Sequence, residues 1–176
     1  MASIARSLRP AASQFSARSC RRAALWRPSP FNARAFSTSP AALHKRFTKE
    51  HEWIELSEDG KTGVIGISSY AAHSLGDVVY VELPTIPMDV AAGDSIGAVE
   101  SVKSASDINS PITCTITEVN DLLEEKPSTI NKGPEDSSSA GGWFAKVEVS
   151  EVGVKDMEAL MDAKAYKEYT EEEGDH

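Results

Sequence analysis

Lys103 lies in Glu100-Ser101-Val102-Lys103-Ser104-Ala105-Ser106-Asp107, with one carboxylate three residues before it and another four after it. Small, polar neighbours keep an amine hydrated. Such a lysine is open to a modifying enzyme, whereas Schiff-base or general-base chemistry needs a desolvated pocket that depresses the lysine pKa. An unmodified surface lysine fits the same spacing, because exposed lysines at turns are common. Of the two cysteines, Cys20 belongs to the N-terminal segment and Cys114 stands alone, which leaves no CxxC pair for redox or zinc chemistry. Period-two spacing puts Cys114 on one face with Ile112 and Ile116, so it is expected to pack as a small hydrophobe. His51 has no partner histidines at metal-ligand spacing and is expected to make hydrogen bonds.

The elements that must hold Lys103 read as β-structure. Residues 46 to 119 form short strand-like runs with turn punctuation, which favours a compact β sandwich or barrel over βαβ repeats. Glu52 to Leu56 and Lys61 to Ser68 flank Asp59-Gly60, a tight-turn pair, and predict a hairpin. Ser68 to His73 reads as a capped helical turn. Asp77 to Leu83 predicts a strand with Val79, Val81 and Leu83 on one face and Val78, Tyr80 and Glu82 on the other. Pro84 and Pro87 break it, and a loop is expected from Ile86 to Gly93. Ser95 to Ser101 and Ile108 to Val119 predict two more strand regions, with Lys103 at or near the turn between them. Asp121 to Lys126 opens a helical turn that Pro127 stops, and Gly133 to Gly142 reads as a flexible surface loop. Trp143 to Val149 predicts a final strand with Trp143, Ala145, Val147 and Val149 inward. A helix from Lys155 to about Tyr169, with Met157, Leu160, Met161 and Ala165 near one face, precedes a frayed tail.

Charge divides the chain unevenly. Residues 1–43 hold seven arginines and no acid, and the first acid is Glu50. An Arg-rich, Ser-rich, acid-free N-terminus marks a mitochondrial presequence, and arginines interrupt every apolar run that a secretory signal would need. Arg34-Ala35-Phe36-Ser37-Thr38-Ser39 resembles a two-step processing site that would leave His44 as the mature N-terminus. The expected division is a presequence over 1–43 and one folded domain over 44–176. Without the seven arginines the formal charge of −9 becomes −16. That surface excludes nucleic acid and anionic membranes as partners and favours basic docking surfaces on proteins. No apolar run approaches the roughly 20 residues of a membrane span.

Glu100-Ser101-Val102-Lys103-Ser104-Ala105-Ser106, followed by Asn109-Ser110-Pro111, resembles the lipoylation site of glycine cleavage H proteins. The likeness continues in His51-Glu52-Trp53, Leu75-Gly76-Asp77-Val78-Val79-Tyr80, Thr117-Glu118-Val119-Asn120, Pro127-x-x-Ile130-Asn131 and Gly142-Trp143, and so spans about residues 46 to 170. Cys114-Thr115 departs from it, because many members have a glycine and an acid there. The loss of a glycine puts the local backbone path in question.

This resemblance implies a mainly β, lipoyl-domain-like barrel-sandwich hybrid of two antiparallel sheets, with short helices, a C-terminal helix and the lysine at a hairpin tip. It implies lipoic acid attached as an amide to Lys103 and a non-catalytic carrier in the mitochondrial matrix. The implied partners are a pyridoxal-phosphate glycine decarboxylase, a tetrahydrofolate-dependent aminomethyltransferase, an FAD-containing dihydrolipoamide dehydrogenase and the lipoyl-attaching enzyme. Glu100 is expected to serve recognition by that last enzyme. Glu52 and Asp107 are expected to form an acidic cleft for the cationic aminomethyl arm. A biotin carrier would place methionines beside the lysine, where Val102 and Ser104 stand. A 2-oxo acid dehydrogenase lipoyl domain usually has Asp before the lysine and belongs to a longer acyltransferase chain. A lipoyl relay to other mitochondrial acceptors and a purely structural adaptor complete the alternatives.

Overall fold

Antiparallel strands of three to seven residues account for most of the architecture of the computed structural model, which describes residues 44–174. The presequence expected over 1–43 lies outside the described residues. A six-stranded sheet runs in the order β1 (His44–Phe47), β2 (Glu52–Leu56), β3 (Thr62–Ile67), β9 (Ala145–Val149), β8 (Cys114–Val119) and β5 (Met88–Val90). A three-stranded sheet has the order β4 (Val78–Glu82), β6 (Ser95–Ser101) and β7 (Ala105–Asn109). Two mainly antiparallel sheets with short helices agree with the expected fold class.

Apolar residues from both sheets build the core. Ile54, Ile65, Val81, Val99, Ile108, Ile116 and Val147 each leave 2% or less of their surface exposed. Cys114 packs among them between Ile112 and Ile116, as its spacing predicts. Burial pushes its thiol up from the ordinary range, against a smaller downward pull from Ser110, so it is a poor nucleophile. Cys114 pairs in register with Val90 and Val149. Its backbone keeps an ordinary negative φ, so the strand path does not need the family's glycine there.

The β2–β3 hairpin forms at Asp59-Gly60, where Gly60 takes φ 67°. Ser68 caps α1 (Ser69–Leu75), its hydroxyl accepting from the Ala71 N–H at 3.1 Å. Several expectations need correction. The alternation foreseen from Asp77 to Leu83 is broken by a bulge between Val78 and Tyr80, which buries Val78 and Val81 and leaves both Val79 and Tyr80 exposed. The loop foreseen over Ile86 to Gly93 contains β5, which pairs with β8. The long strand region over Ile108 to Val119 is two strands separated at residues 110–113.

Two short helices, α2 (Leu122–Glu125) and α3 (Thr129–Lys132), flank Pro127, and the second was not foreseen. The segment Gly133 to Gly142 is held, not loose: Pro134 O accepts from Trp53 Nε1 at 3.0 Å, and Glu135 O accepts from Lys45 Nζ at 2.7 Å. The Glu135 carboxylate also accepts from the Ser69 N–H at 2.8 Å. Composition shows its polarity but not these partners from distant strands.

The C-terminal helix is also divided. α4 (Glu151–Asp156) passes into a 3-10 turn (Met157–Ala159), and α5 (Ala163–Gly174) follows. The break arises because Met161 exchanges two backbone hydrogen bonds with Phe47, at 2.9 and 3.0 Å, which draws the chain into a sheet-like bridge. Tyr166 is the buried residue of α5, stacked on Phe47 with ring centroids 4.3 Å apart, and Ala165 is exposed. No helix among the described residues is long and apolar enough to cross a membrane.

Candidate functional site

Lys103 occupies the tip of the β6–β7 hairpin. The Ser101 hydroxyl accepts from the N–H groups of both Lys103 and Ser104 at 3.1 Å, and the Ser101 N–H donates to Ser104 O at 2.7 Å. This serine-capped turn is rigid through its own backbone, while the lysine side chain stays exposed. Beyond the β4–β6 ladder, which reaches Ser101 opposite Val78, the Val102 N–H donates to Asp77 O at 3.2 Å.

Beneath the lysine lies Gly76, the residue ending α1, at φ 78° and ψ −147°. A Cβ there would stand 2.8 Å from Lys103 Cε and 3.3 Å from Nζ, so glycine leaves room for the root of a long lysine-borne arm. A covalently attached acyl chain on Nζ fits this arrangement, because the amine is accessible and its stem has a seat.

A cleft of about 570 Å3 opens beside the tip, with Ser104 and Ser106 on its wall. Ile67, Leu75, Val99 and Ile108 give it an apolar floor, and Glu50, Glu52, Asp107 and Glu173 supply four carboxylates. Glu52 and Asp107 are therefore brought to one cleft, in different states. Glu52 is 2% exposed; Oε1 accepts from the Asn109 N–H at 3.0 Å and from Asn109 Nδ2 at 3.3 Å, while Oε2 accepts from the Thr48 hydroxyl. Asp107 lies on the edge strand β7 and is exposed at the rim. Glu100 is exposed on β6, in register with Tyr80 on one side and Ala105 on the other.

His51 closes the far end of the cleft with φ 72°, a left-handed conformation uncommon outside glycine. Its Nδ1 lies 2.9 Å from the Tyr166 hydroxyl and its Nε2 3.2 Å from Glu173 Oε2, and its ring packs against Tyr70. The expectation of hydrogen bonding is met, and no metal-holding cluster of His, Cys, Asp and Glu occurs among the described residues. Glu173, expected in a frayed tail, thus belongs to the cleft wall. Sequence reasoning also passed over Gly76 and Asn131; both stand inside motifs it quoted, but nothing local shows that they meet beneath Lys103.

Tyr166 links this wall to the sheet, with its hydroxyl 2.7 Å from Ser68 Oγ. Burial pushes its phenol up to about 12, opposed by the Ser68 hydrogen bond and assisted by the Glu135 and Glu173 carboxylates. The folded protein then holds this proton more tightly than the unfolded chain, whose phenols titrate near 10. The associated stability is complete below pH ~10 and is lost as pH rises toward ~12. Urea unfolding at pH 9, 10 and 11 is expected to show this decline, and Tyr166→Phe is expected to flatten it. An equal slope in the variant would assign the loss to other groups.

A small β barrel-sandwich that presents one exposed lysine on a capped hairpin, beside an acidic cleft with an apolar floor, has the arrangement that a carrier domain with a lysine-borne arm requires. The model of the glycine cleavage H-protein family matches residues 45–173. Over 129 residues the chain is 44% identical to the putative mitochondrial glycine cleavage system H protein of Schizosaccharomyces pombe, covering 73% of this chain and 72% of that one. It is 49% identical over 121 residues to the glycine cleavage system H protein of Phenylobacterium zucineum, covering 69% and 93%. The crystal structure of a glycine cleavage system H protein from Mycobacterium marinum superposes with a TM-score of 0.61 at 34% identity, covering 75% of this chain and 98% of that one. The chain belongs to the glycine cleavage H-protein family, the lipoyl carriers of the glycine cleavage system.

Proposed function

We propose that Lys103 bears lipoic acid as an amide on Nζ and that the chain is a non-catalytic shuttle in the mitochondrial matrix, delivered there by residues 1–43. The observation that carries this reading is the exposed Lys103 on a serine-capped tip, with its stem seated over Gly76 beside the acidic cleft. Lys103 would hold the lipoyl group, which would supply a reducible disulfide as acceptor for the aminomethyl unit that remains when glycine loses CO2.

The chain's own residues present, shelter and release. The tip holds the arm where a pyridoxal-phosphate glycine decarboxylase, a tetrahydrofolate-dependent aminomethyltransferase and an FAD-containing dihydrolipoamide dehydrogenase can each reach it. A formal charge of −16 beyond residue 43 suits repeated, steered and weak docking to basic surfaces. Asp107, at the rim, pairs with the cationic amine of the carried group. Glu52 supports the cleft from within, its oxygens already accepting from Asn109 and Thr48. Glu100, displayed on the outer face near the tip, is read by the lipoyl-attaching enzyme.

Protein recovered from mitochondria tests this through its intact mass and a tryptic map. A lipoyl-sized increment with cleavage blocked after Lys103, on a chain beginning at His44, is the expected result. A biotin-sized increment, or a bare lysine at full occupancy, would overturn it. For the cleft, Asp107→Asn and Glu52→Gln are expected to speed ammonia loss from the loaded carrier in buffer without its partner enzymes. Release at the wild-type rate in both would remove the acidic cleft from the mechanism.

A further inference from the structure

Past the end of the β4–β6 ladder at Ser101, the hairpin tip meets the body at a carbonyl that is itself gripped from both sides. Val102 N–H donates to Asp77 O at 3.2 Å. On one side of Asp77, the Gly76 carbonyl accepts from Asn131 Nδ2 at 2.6 Å. On the other, the Val78 N–H donates to Asn131 Oδ1 at 3.0 Å. One amide side chain from α3 therefore brackets the Asp77 peptide, using its donor and its acceptor together.

We infer that Asn131 is a positioning residue for the arm. By clamping residues 76–78 it fixes the Asp77 carbonyl that anchors Val102 and the Gly76 surface under Lys103, and so sets the direction in which the lysine leaves the protein. Gly76 has the wide backbone freedom of glycine, so the hydrogen bonds made by its neighbours select one shape of the turn. The hydrogen bonds of Ser101 and Ser104 lie within the tip and fix its shape without fixing its orientation to the body. Orientation is set by the β4–β6 ladder, which ends at Val78 and Ser101, and beyond that ladder by the Val102 bond to the Asp77 carbonyl that Asn131 holds. An enzyme that acylates Nζ must bring the acyl carbon of an activated lipoate to that amine, expelling the activating group and a proton as the amide forms. It gains when the amine is presented in one direction.

This inference rests on the lipoyl-carrier reading, and the experiment separates the two. Unmodified wild type, Asn131→Ala and Asn131→Asp are incubated with lipoate, ATP and a lipoate-attaching enzyme, and modification is followed by intact mass. In parallel, hydrogen exchange at the Val102 amide is compared with that at Val99. Ser150→Ala serves as a control that loses the α4 cap, remote from the tip, and lowers general stability.

Asn131→Ala is expected to lower kcat/KM for lipoylation about tenfold, the effect of losing one to two ordinary hydrogen bonds, and to raise exchange at Val102 with Val99 unchanged. Asn131→Asp keeps the acceptor for Val78 but sets a carboxylate oxygen against the Gly76 carbonyl in place of the donor, so a loss at least as large as that of Asn131→Ala is expected. Ser150→Ala is expected to be modified at the wild-type rate. If both Asn131 variants match wild type in rate and in Val102 exchange, or if Ser150→Ala slows modification equally, the positioning role is overturned. If wild type itself takes no lipoyl group while Val102 exchange still responds to Asn131, the carrier reading fails and the clamp on the tip stands.

Discussion

Lys103→Arg is expected to yield a folded protein that takes up no lipoyl group and supports no glycine cleavage. Arginine preserves the positive charge and most of the stem, so electrostatics and the seat over Gly76 change little. What it removes is chemistry: the guanidinium stays protonated in proteins and offers no free electron pair for amide formation. The turn does not need the lysine side chain, because its bonds run through the Ser101 hydroxyl and the backbone of residues 101–104. The unfolding midpoint should therefore match wild type while the intact mass after co-expression with a lipoate-attaching enzyme stays that of the bare chain. Glu100→Gln is expected to share the unmodified mass, since an exposed carboxylate in register with Tyr80 and Ala105 is available for recognition. A lipoyl increment on Lys103→Arg, or measurable turnover when it is added to the three partner enzymes, would place the arm on another residue.

The turn under that lysine illustrates what one chain of letters can reveal. Strands β2 and β3 were legible from the Asp59-Gly60 turn between them and β9 from the alternation of Ala145, Val147 and Val149, and the position of Lys103 between two strand regions followed from the small, polar segment around it. The carboxylates Glu52 and Asp107 were reached through the resemblance, and they do share a cleft. Three features were hidden because they depend on partners far away in sequence. The bulge at Val78 and Tyr80 answers to pairing with β6. The division of the C-terminal helix answers to Phe47, and the ordered path of residues 133–142 answers to Trp53 and Lys45. Glu173 lies in a run of acids that reads as a solvated tail, and only the folding of α5 over His51 makes it part of the cleft. Asn131 has the same character. Its amide looks like any polar residue near a helix end until the Gly76–Val78 turn is set beside it.

Gly97→Ala is expected to be the most destabilising single methyl addition near the site. A Cβ at residue 97 would stand 2.2 Å from the backbone oxygen of Glu82 and 2.6 Å from Phe144 Cζ. Neither neighbour can yield cheaply: Glu82 O belongs to β4, whose register runs Val81 to Val99 and Glu82 to Ala98, and Phe144 is 1% exposed in the core. Relief requires β4 to part from β6 or Phe144 to leave its rotamer, and overpacking of this kind costs about 1–3 kcal/mol, sometimes more. Contact with backbone on one side and a buried ring on the other argues for the upper end. Gly60→Ala provides the comparison, because Gly60 has φ 67° and no atom within 4 Å of the added methyl. Its cost is conformational alone, roughly 1–2 kcal/mol. Denaturant unfolding should therefore give Gly97→Ala a clearly lower midpoint than Gly60→Ala with similar slopes. The consequence also reaches function, since β4 begins beside the Gly76–Val78 turn and β6 ends beside Lys103, so a parted pair would tilt the tip against its anchor. Slower lipoylation of Gly97→Ala, with Gly60→Ala modified normally, is the result that follows. Equal midpoints would show that β4 and β6 have slack at this contact, and the close approach at Gly97 would then have no part in holding the tip.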